Sequence, residues 1–152
     1  QRDDGLRKLP GTVLRNSMNE VVYTPPDNPE DILRLLSNLE KYINTSDDGI
    51  DPLIKLAVIH YQFECIHPFQ DGNGRVGRLI ALKECLKNNL LPFLLEDGKK
   101  HYYYRGLKEY ERDPLYLLDT CRDGQDTFRR LLERFAIPAP KEQKNTPMPH
   151  SL

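Results

Sequence analysis

Apolar positions along this chain recur mainly at the spacing of an amphipathic α-helix. Asn28-Pro29 is a typical helix start, and apolar residues follow it at intervals of three and four from Ile32 to Ile43. Asp51-Pro52 begins a second segment in the same way, and its apolar residues fall on nearly every side as far as Phe63. A helix that is apolar almost all round is usually central, so this second helix is predicted to lie in the core.

Further helices are predicted in the second half of the chain, beginning near Asn73. The first of them carries three leucines on one face, namely Leu79, Leu82 and Leu86. The helical pattern then predicts three more segments, which are Lys99 to Glu111, Pro114 to Cys121 and Thr127 to Phe135. Prolines and polar residues without periodicity fill residues 138–152, and this composition predicts a flexible C-terminal tail.

Two short β-prone segments precede the helices. Val13-Leu14 and Val21 to Tyr23 are separated by the polar residues Asn16 to Asn19, a pattern that predicts a small hairpin. Pro25-Pro26 then ends the second strand. The predicted fold class is therefore mostly α, as one domain over residues 1–137 with a small β-hairpin.

Composition narrows the functional classes. Lys plus Arg (22) and Asp plus Glu (23) nearly cancel, so the charge gives no support for general attraction to nucleic acid or to a membrane surface. The three cysteines have no paired spacing, which favours reduced core thiols and a cytoplasmic setting. The sequence shows no signal-peptide pattern and no apolar run of transmembrane length.

The chemically informative segment is residues 67–78, which reads His67-Pro68-Phe69-Gln70-Asp71-Gly72-Asn73-Gly74-Arg75-Val76-Gly77-Arg78. Pro68 disfavours helical backbone at His67, so this imidazole can leave the central helix and act as a base near neutral pH. Phe69 is predicted to anchor the segment on the core. Asp71 offers a hard oxygen ligand, which suits one Mg²⁺ held jointly with substrate phosphates.

The glycines and arginines of this segment predict an anion site. Gly72-Asn73-Gly74 allows backbone N–H groups to converge on an anion, and the next helix begins there. Arg75 and Arg78 lie three residues apart on its first turn, where each guanidinium can fork onto phosphate oxygens. These residue types together predict a site for a nucleotide phosphate.

Two other kinds of site use some of the same residues. Gly72-x-Gly74-x-x-Gly77 matches a dinucleotide-binding pattern, but that fingerprint follows a β-strand, and here a helix precedes it. His60, Glu64 and His67 have a helical spacing that could suit zinc. A zinc site is disfavoured because Pro68 takes His67 off the helix. Glu64 is more simply the partner of a neighbouring polar group.

The twelve-residue segment resembles the signature of the Fic family, HxFx(D/E)GNGRxxR, at every specified position. The similarity covers about Leu9 to Ile137 and includes three further stretches, namely Asp51 to Glu64, Val22-Tyr23-Thr24-Pro25-Pro26 and Tyr103-Tyr104-Arg105-Gly106-Leu107. The resemblance implies a helical Fic-type domain whose β-hairpin is a flap. It also implies transfer of AMP from ATP to a Ser, Thr or Tyr hydroxyl of a protein.

The resemblance further implies roles for individual residues. His67 would be the general base that activates the target hydroxyl, and Asp71 would hold Mg²⁺ bridging the α- and β-phosphates of ATP. The residues expected around the nucleotide are Phe69, Gly72, Asn73, Gly74, Arg75 and Arg78, with Arg78 at the γ-phosphate. Tyr103 and Tyr104 are candidates for the adenine pocket. The hairpin near Asn16 to Tyr23 is expected to dock the protein substrate by strand addition.

Regulation is expected to come from outside this sequence. Many Fic proteins carry an inhibitory helix with the pattern (S/T)xxxE(G/N), whose Glu pairs with the arginine at the position of Arg78. This sequence contains no such pattern, and it begins at Gln1 without Met. The inhibitory segment is therefore expected upstream of Gln1 or on a partner protein.

Other functions are compatible with the same residues. The motif would also serve transfer of UMP, phosphocholine or phosphate, because it contacts the phosphates and leaves the remaining group to other pockets. The alternative from another class is a non-catalytic nucleotide-binding or toxin–antitoxin module, which an intact His67 disfavours.

Overall fold

The computed structural model describes residues 5–15, 18–45 and 48–139. Within them lie two strands and five α-helices, which are β1 (Leu14–Arg15), β2 (Val21–Tyr23), α1 (Pro29–Asn44), α2 (Pro52–Ile66), α3 (Asn73–Lys87), α4 (Lys100–Glu109) and α5 (Pro114–Arg134). A short 3₁₀ helix, Asp97–Lys99, leads into α4. The mostly α-helical class predicted from the sequence is confirmed.

The chain divides into two compact units, residues 1–82 and residues 83–152. The first contains the hairpin, α1, α2 and most of α3, and the second contains α4 and α5. Residues 140–152 lie outside the described part of the chain. The domain boundary at residue 137 and the tail over 138–152 therefore stay predictions.

The first two helices begin where the sequence predicts. Asn28 caps α1, where its side-chain oxygen accepts from the N–H of Glu30 at 3.0 Å. Asp51 caps α2 in the same way and accepts from the N–H of Leu53 at 2.8 Å. A proline follows each cap at the first helical position. A backbone N–H there would have no intrahelical acceptor, so the N–H that proline lacks is not needed. These caps are local signals, which is why the sequence locates both starts.

The core of the first unit forms between α1 and α2. Five buried side chains make its centre, namely Ile32, Leu39, Ile59, Phe63 and Ile66. Phe69, Val76 and Ile80 pack against them from the turn and from α3. α2 buries residues on most of its sides, which confirms its predicted central position.

The leucines of α3 share one face, but that face is exposed. Leu79 and Leu86 are 64% and 65% exposed, and Leu82 is exposed as well. The face that carries Val76 and Ile80 is the one that packs on the core of the first unit. Periodicity alone groups the leucines correctly and cannot say which face a neighbouring element covers.

One helix prediction is wrong. The sequence predicts two helices, 114–121 and 127–135, whereas α5 runs without a break from Pro114 to Arg134. The glycine in the predicted gap, Gly124, has a packing role. Its carbonyl accepts from the N–H of Leu94 at 3.1 Å, and a Cβ at Gly124 would lie only 2.8 Å from the Leu94 carbonyl oxygen. The glycine therefore permits a close backbone approach within the second unit without ending the helix.

The predicted hairpin is present as a two-stranded antiparallel sheet. Leu14 pairs with Tyr23, and Arg15 pairs with Val21. Asn16 and Ser17, part of the predicted docking segment, lie outside the described residues. The Tyr23 side chain hydrogen-bonds Cys65 of α2, and burial is the main reason why the pKa of each of these two groups is raised. This contact fastens β2 to α2 near the end of that helix.

Candidate active site

α2 ends at Ile66, and His67 leaves the helix as the sequence predicts. His67 has a left-handed backbone, with φ 49° and ψ 57°, and its N–H donates to the carbonyl of Phe63 at 3.0 Å. A residue with a Cβ in this region carries about 1–3 kcal/mol of strain and persists only where its surroundings enforce it. Pro68 explains why α2 ends here, because it disfavours right-handed helical backbone in the residue before it.

The imidazole of His67 is half-buried at this point. Its Nδ1 is shielded from solvent and has no hydrogen-bond partner within the described residues. The other ring nitrogen, Nε2, is the one through which the ring could exchange a proton with a bound molecule.

The turn after His67 is held by a reciprocal pair between Phe69 and Asn73. The Phe69 N–H donates to Asn73 Oδ1 at 2.9 Å, and Asn73 Nδ2 donates to the Phe69 carbonyl at 2.7 Å. The Asn73 side chain is buried, and the Phe69 ring lies 6.2 Å from that of Phe63. Phe69 thus anchors the turn on the core. Asn73 shapes the turn with its side chain, and phosphate contacts by either residue stay predictions.

Two glycines at the start of α3 make room for two guanidinium groups. Gly72 has φ +85°, which favours glycine, and a Cβ there would lie 3.3 Å from Arg75 Nη2. A Cβ at Gly74 would lie 3.3 Å from Arg78 Nη1. Both arginine side chains therefore fold back over the start of α3, where the first-turn N–H groups of a helix have no intrahelical acceptors. The arrangement brings positive charge and N–H donors to one place.

Asp71 and Arg75 form an ion pair of 2.8 Å, with both side chains largely exposed. Asp71 is an accessible carboxylate beside the guanidinium of Arg75. Mg²⁺ is often held in proteins by one or two carboxylates together with substrate phosphates, so this donor set fits that ion. A closed metal cage does not fit: no three His, Cys, Asp or Glu side chains in the described parts of the chain are grouped to hold a metal.

His60 and Glu64 face α3 from the neighbouring helix. Their nearest charged atoms, Nε2 and Oε1, are 4.0 Å apart, and a Cβ at Gly77 would lie 2.6 Å from Glu64 Oε1. The pKa of His60 is lowered mainly by burial, while the Glu64 carboxylate raises it and Arg78 lowers it further. Glu64 is thus near a neighbouring polar side chain, as expected from the sequence. Gly77 permits the close packing of α2 on α3.

Tyr103 and Tyr104 belong to α4, in the second unit. Tyr103 is buried with its ring 6.2 Å from that of Phe93, whereas Tyr104 is 53% exposed. The two tyrosine rings lie 5.8 Å apart. Their role in an adenine pocket stays a prediction.

Arg7 is a residue of this site that no sequence pattern indicates. Its side chain is only 1% exposed and donates from Nε to the carbonyl oxygen of His67 at 2.8 Å. Charged residues are almost never fully buried unless they are paired, and nothing in the polar segment around Arg7 signals such burial. Only the folded chain shows that Arg7 contacts the candidate base.

A known protein family matches the part of the chain that contains this site. Residues 3–85, more than half of the chain, match the Fic/DOC family. The chain belongs to the Fic/DOC family. The match contains the whole segment 67–78, so the site just described is a Fic/DOC site.

Relatives within this family include proteins named as protein adenylyltransferases. The chain is 30% identical over 99 residues to protein adenylyltransferase Fic of Drosophila yakuba, a match that covers 64% of this chain and 20% of that protein. It is 32% identical over 95 residues to protein adenylyltransferase fic-1 of Caenorhabditis briggsae, covering 62% of this chain and 19% of the relative. The aligned part thus spans about one fifth of the length of these curated relatives.

Solved structures support the Fic fold. A Fic-domain-containing signalling protein from Bacteroides thetaiotaomicron has a TM-score of 0.55 at 20% identity, covering 86% of this chain and 55% of that one. Fic-1 from Caenorhabditis elegans has a TM-score of 0.53 at 22% identity, covering 80% and 36%. Among the described helices of this Fic/DOC chain, none is long and apolar enough to cross a membrane.

Proposed function

We propose that this chain is a protein adenylyltransferase, which transfers AMP from ATP to a Ser, Thr or Tyr hydroxyl of another protein. The observation that carries the proposal is the placement of His67 at the end of α2, on the turn that leads into α3. A half-buried imidazole precedes a helix start that two guanidinium groups cover. Relatives named as protein adenylyltransferases support the same reaction.

The proposed reaction needs a base and charge stabilisation more than covalent chemistry from the protein. His67 takes the proton of the target hydroxyl while the hydroxyl oxygen attacks the α-phosphorus of ATP. The bond from the α-phosphorus to the bridging oxygen breaks, and pyrophosphate leaves. An imidazole that already stands clear of the helix suits this proton transfer, because the base must lie within hydrogen-bond reach of the hydroxyl.

The phosphates are expected to bind at the start of α3. The N–H groups of the first turn and the guanidinium of Arg75 offer donors, and the helix dipole favours an anion there. Arg78 is assigned to the γ-phosphate. Asp71 would hold Mg²⁺, whose charge would offset that of the phosphates. The adenine is assigned to Tyr103 and Tyr104 on the family resemblance.

The protein substrate is proposed to dock on the β1–β2 hairpin. A two-stranded sheet has two outer edges, and an extended peptide can add to one of them through main-chain hydrogen bonds. The Tyr23 contact with Cys65 fastens the hairpin to α2 close to His67 in sequence. An added strand would therefore bring its hydroxyl towards the base.

Inhibition in trans belongs to the same proposal. In the described part of the chain, no carboxylate forms an ion pair with the exposed Arg78. A Glu from another segment or from a partner could pair with it and block the γ-phosphate. We assign the reaction to the cytoplasm, where the free cysteines of this chain would stay reduced.

Labelling at different phosphates of ATP tests the transferred group. The purified chain is incubated with Mg²⁺, a cell lysate and ATP labelled at either the α- or the γ-phosphate. Relative to lysate without the chain, whose own kinases use γ-labelled ATP, transfer of AMP predicts added protein-bound label from α-labelled ATP alone. Added label from γ-labelled ATP alone would point to phosphate transfer, and no added label from either would overturn the proposal.

The His67→Ala variant supplies the decisive control. General-base catalysis contributes roughly 100-fold or more, so labelling should fall by at least that factor. His101→Ala, an exposed histidine of α4, is the matched control and should label like the wild type. Undiminished labelling by His67→Ala would remove His67 from the mechanism.

A further inference from the structure

One buried guanidinium contacts both the catalytic turn and the exit of the hairpin. Arg7 donates from Nε to the carbonyl of His67 at 2.8 Å and from Nη1 to Asp27 Oδ1 at 3.0 Å. Its Nη2 donates to the carbonyl of Pro26. The three acceptors come from two segments about forty residues apart in sequence, which only the planar fork of an arginine can reach at once.

The backbone of Arg7 strengthens its hold on the turn. Its N–H donates to the carbonyl of Pro68 at 2.8 Å. Arg7 therefore fixes the two consecutive carbonyls of His67 and Pro68. His67 has left-handed backbone, and the direction of its carbonyl reports its ψ angle, so a donor on that carbonyl holds the conformation from which the imidazole projects.

We propose that Arg7 is the positioning residue of this site. It holds the backbone of His67 in the left-handed conformation and fixes the distance between the base and the end of the β1–β2 hairpin. The importance of that distance rests on the proposed function, because a substrate bound along the hairpin must present its hydroxyl to His67. The part of the proposal that concerns the backbone of His67 does not depend on the proposed function.

A purely structural ion pair would look different. Neutralising a buried guanidinium requires one carboxylate, and Asp27 supplies it. The contacts of Arg7 with the carbonyls of His67 and Pro68 are not needed for this neutralisation. They orient the backbone of the turn, and the first of these carbonyls belongs to the candidate base. A structural role predicts that variants of Arg7 change stability alone, whereas a positioning role predicts that they also move His67.

The first test follows the imidazole directly. Histidine signals are recorded by nuclear magnetic resonance with ¹³Cε1 labelling, and the His67 signal is assigned from its loss in His67→Ala. Arg7→Lys keeps the charge but replaces three separate donor nitrogens with one, and Arg7→Gln is a second variant with a single donor nitrogen. We expect the His67 signal to shift in folded Arg7→Lys while the His101 signal stays in place. An unchanged His67 signal in whichever of the two variants folds would overturn the proposal.

Matched variants separate position from stability. Leu39→Ala weakens the core of the first unit without removing any hydrogen bond of Arg7, so it should move the His67 signal less than Arg7→Lys does. Asp27→Asn removes the charge partner and leaves the contacts of Arg7 with the two carbonyls, so it should move the His67 signal less than Arg7→Lys does. Equal shifts in Leu39→Ala and Arg7→Lys would show that the signal follows stability, and the positioning role would fall.

The second test uses AMP transfer from α-labelled ATP. At a temperature where all variants are folded, we expect Arg7→Lys to lower kcat by about tenfold or more, with a smaller change in KM for ATP, because misplacing a catalytic group costs turnover. Leu39→Ala should keep kcat near that of the wild type. If the wild type transfers nothing, the proposed function fails while the resonance test of Arg7 still stands. If Arg7→Lys keeps wild-type kcat, the proposal that Arg7 fixes the distance between His67 and the hairpin is wrong.

Discussion

Asp71 and Arg75 are joined across the first turn of α3, where the carboxylate Oδ2 accepts from Nη2 at 2.8 Å. Both side chains are largely exposed, and such pairs contribute only about 0.2–1 kcal/mol to stability. In the proposed reaction each group has another partner, since Asp71 holds Mg²⁺ and Arg75 binds phosphate. The pair is therefore expected to separate when Mg²⁺ and ATP bind.

Asp71→Asn should lower the activity and leave the stability of the fold nearly unchanged. Loss of the carboxylate should lower Mg²⁺-dependent AMP transfer by at least tenfold, while the free energy of unfolding changes by less than about 0.5 kcal/mol. Labelling with α-labelled ATP and urea denaturation measure the two quantities. Asp31→Asn, which breaks the similarly exposed pair with Arg34 in α1, is the matched control and should change neither. Wild-type transfer by Asp71→Asn would remove Asp71 as the Mg²⁺ ligand.

Arg78→Ala should weaken the binding of ATP more than the binding of ADP. If Arg78 meets the γ-phosphate, its removal should weaken binding of Mg²⁺·ATP and leave Mg²⁺·ADP nearly unchanged. A charge-assisted hydrogen bond is worth about 1.5–3 kcal/mol, so the affinity for ATP should fall by roughly 10- to 100-fold. Calorimetry with both nucleotides measures the difference. Equal weakening of ATP and ADP would contradict the γ-phosphate assignment.

Asn73→Ala should destabilise the fold. The substitution leaves the N–H and the carbonyl of Phe69 without their partners, and each unsatisfied buried group costs about 1–3 kcal/mol. The midpoint of urea denaturation should fall clearly. Asn44→Ala is the control, because the exposed Asn44 side chain donates to the carbonyl of Glu40 at the end of α1. If both variants lose equal stability, the Asn73 pair is not specially important to the turn.

Gly124→Ala tests why α5 is continuous. A methyl group there would press on the backbone of Leu94, so we expect a loss of about 1–3 kcal/mol in the free energy of unfolding. A Cβ on Gly98 meets nothing within 4 Å, so Gly98→Ala should be neutral or slightly stabilising. Thermal denaturation compares the two. A neutral Gly124→Ala would show that the helix does not depend on this close approach.

The Asp27 carboxylate should make stability depend on acid pH. Its pKa is lowered first by the N–H of Gly11 and then by Arg7. A carboxyl group whose pKa is lowered by folding stabilises the protein above its unfolded pKa of about 4, and this contribution is lost as the pH falls through the folded pKa. Asp27→Asn should therefore be less stable than the wild type at pH 7, and the gap should narrow below about pH 4. Urea denaturation across this range measures the gap, and a constant gap would contradict the assignment.

Much of this fold and of its site follows from local sequence signals. Asn28 and Asp51 each place a cap and a proline together, and these act within one turn of helix. Pro68 takes His67 out of α2 by a clash with its immediate neighbour. The segment 67–78 likewise brings the base, the carboxylate and the arginines together, because it is short enough for one turn to do so.

Other features depend on what lies opposite a residue in the folded chain. Leu79 belongs to an apolar stripe that the fold leaves exposed, and Gly124 lies inside a helix because Leu94 packs against it. Arg7 is a charged residue in a polar segment, yet folding buries it against the carbonyl of His67. The sequence by itself determined the helical class, the starts of α1 and α2 and the residue types of the turn, because these depend on neighbours along the chain. Only the tertiary structure decided which faces are buried and which distant residue contacts the carbonyl of His67, because burial and long-range hydrogen bonds depend on segments far apart in sequence.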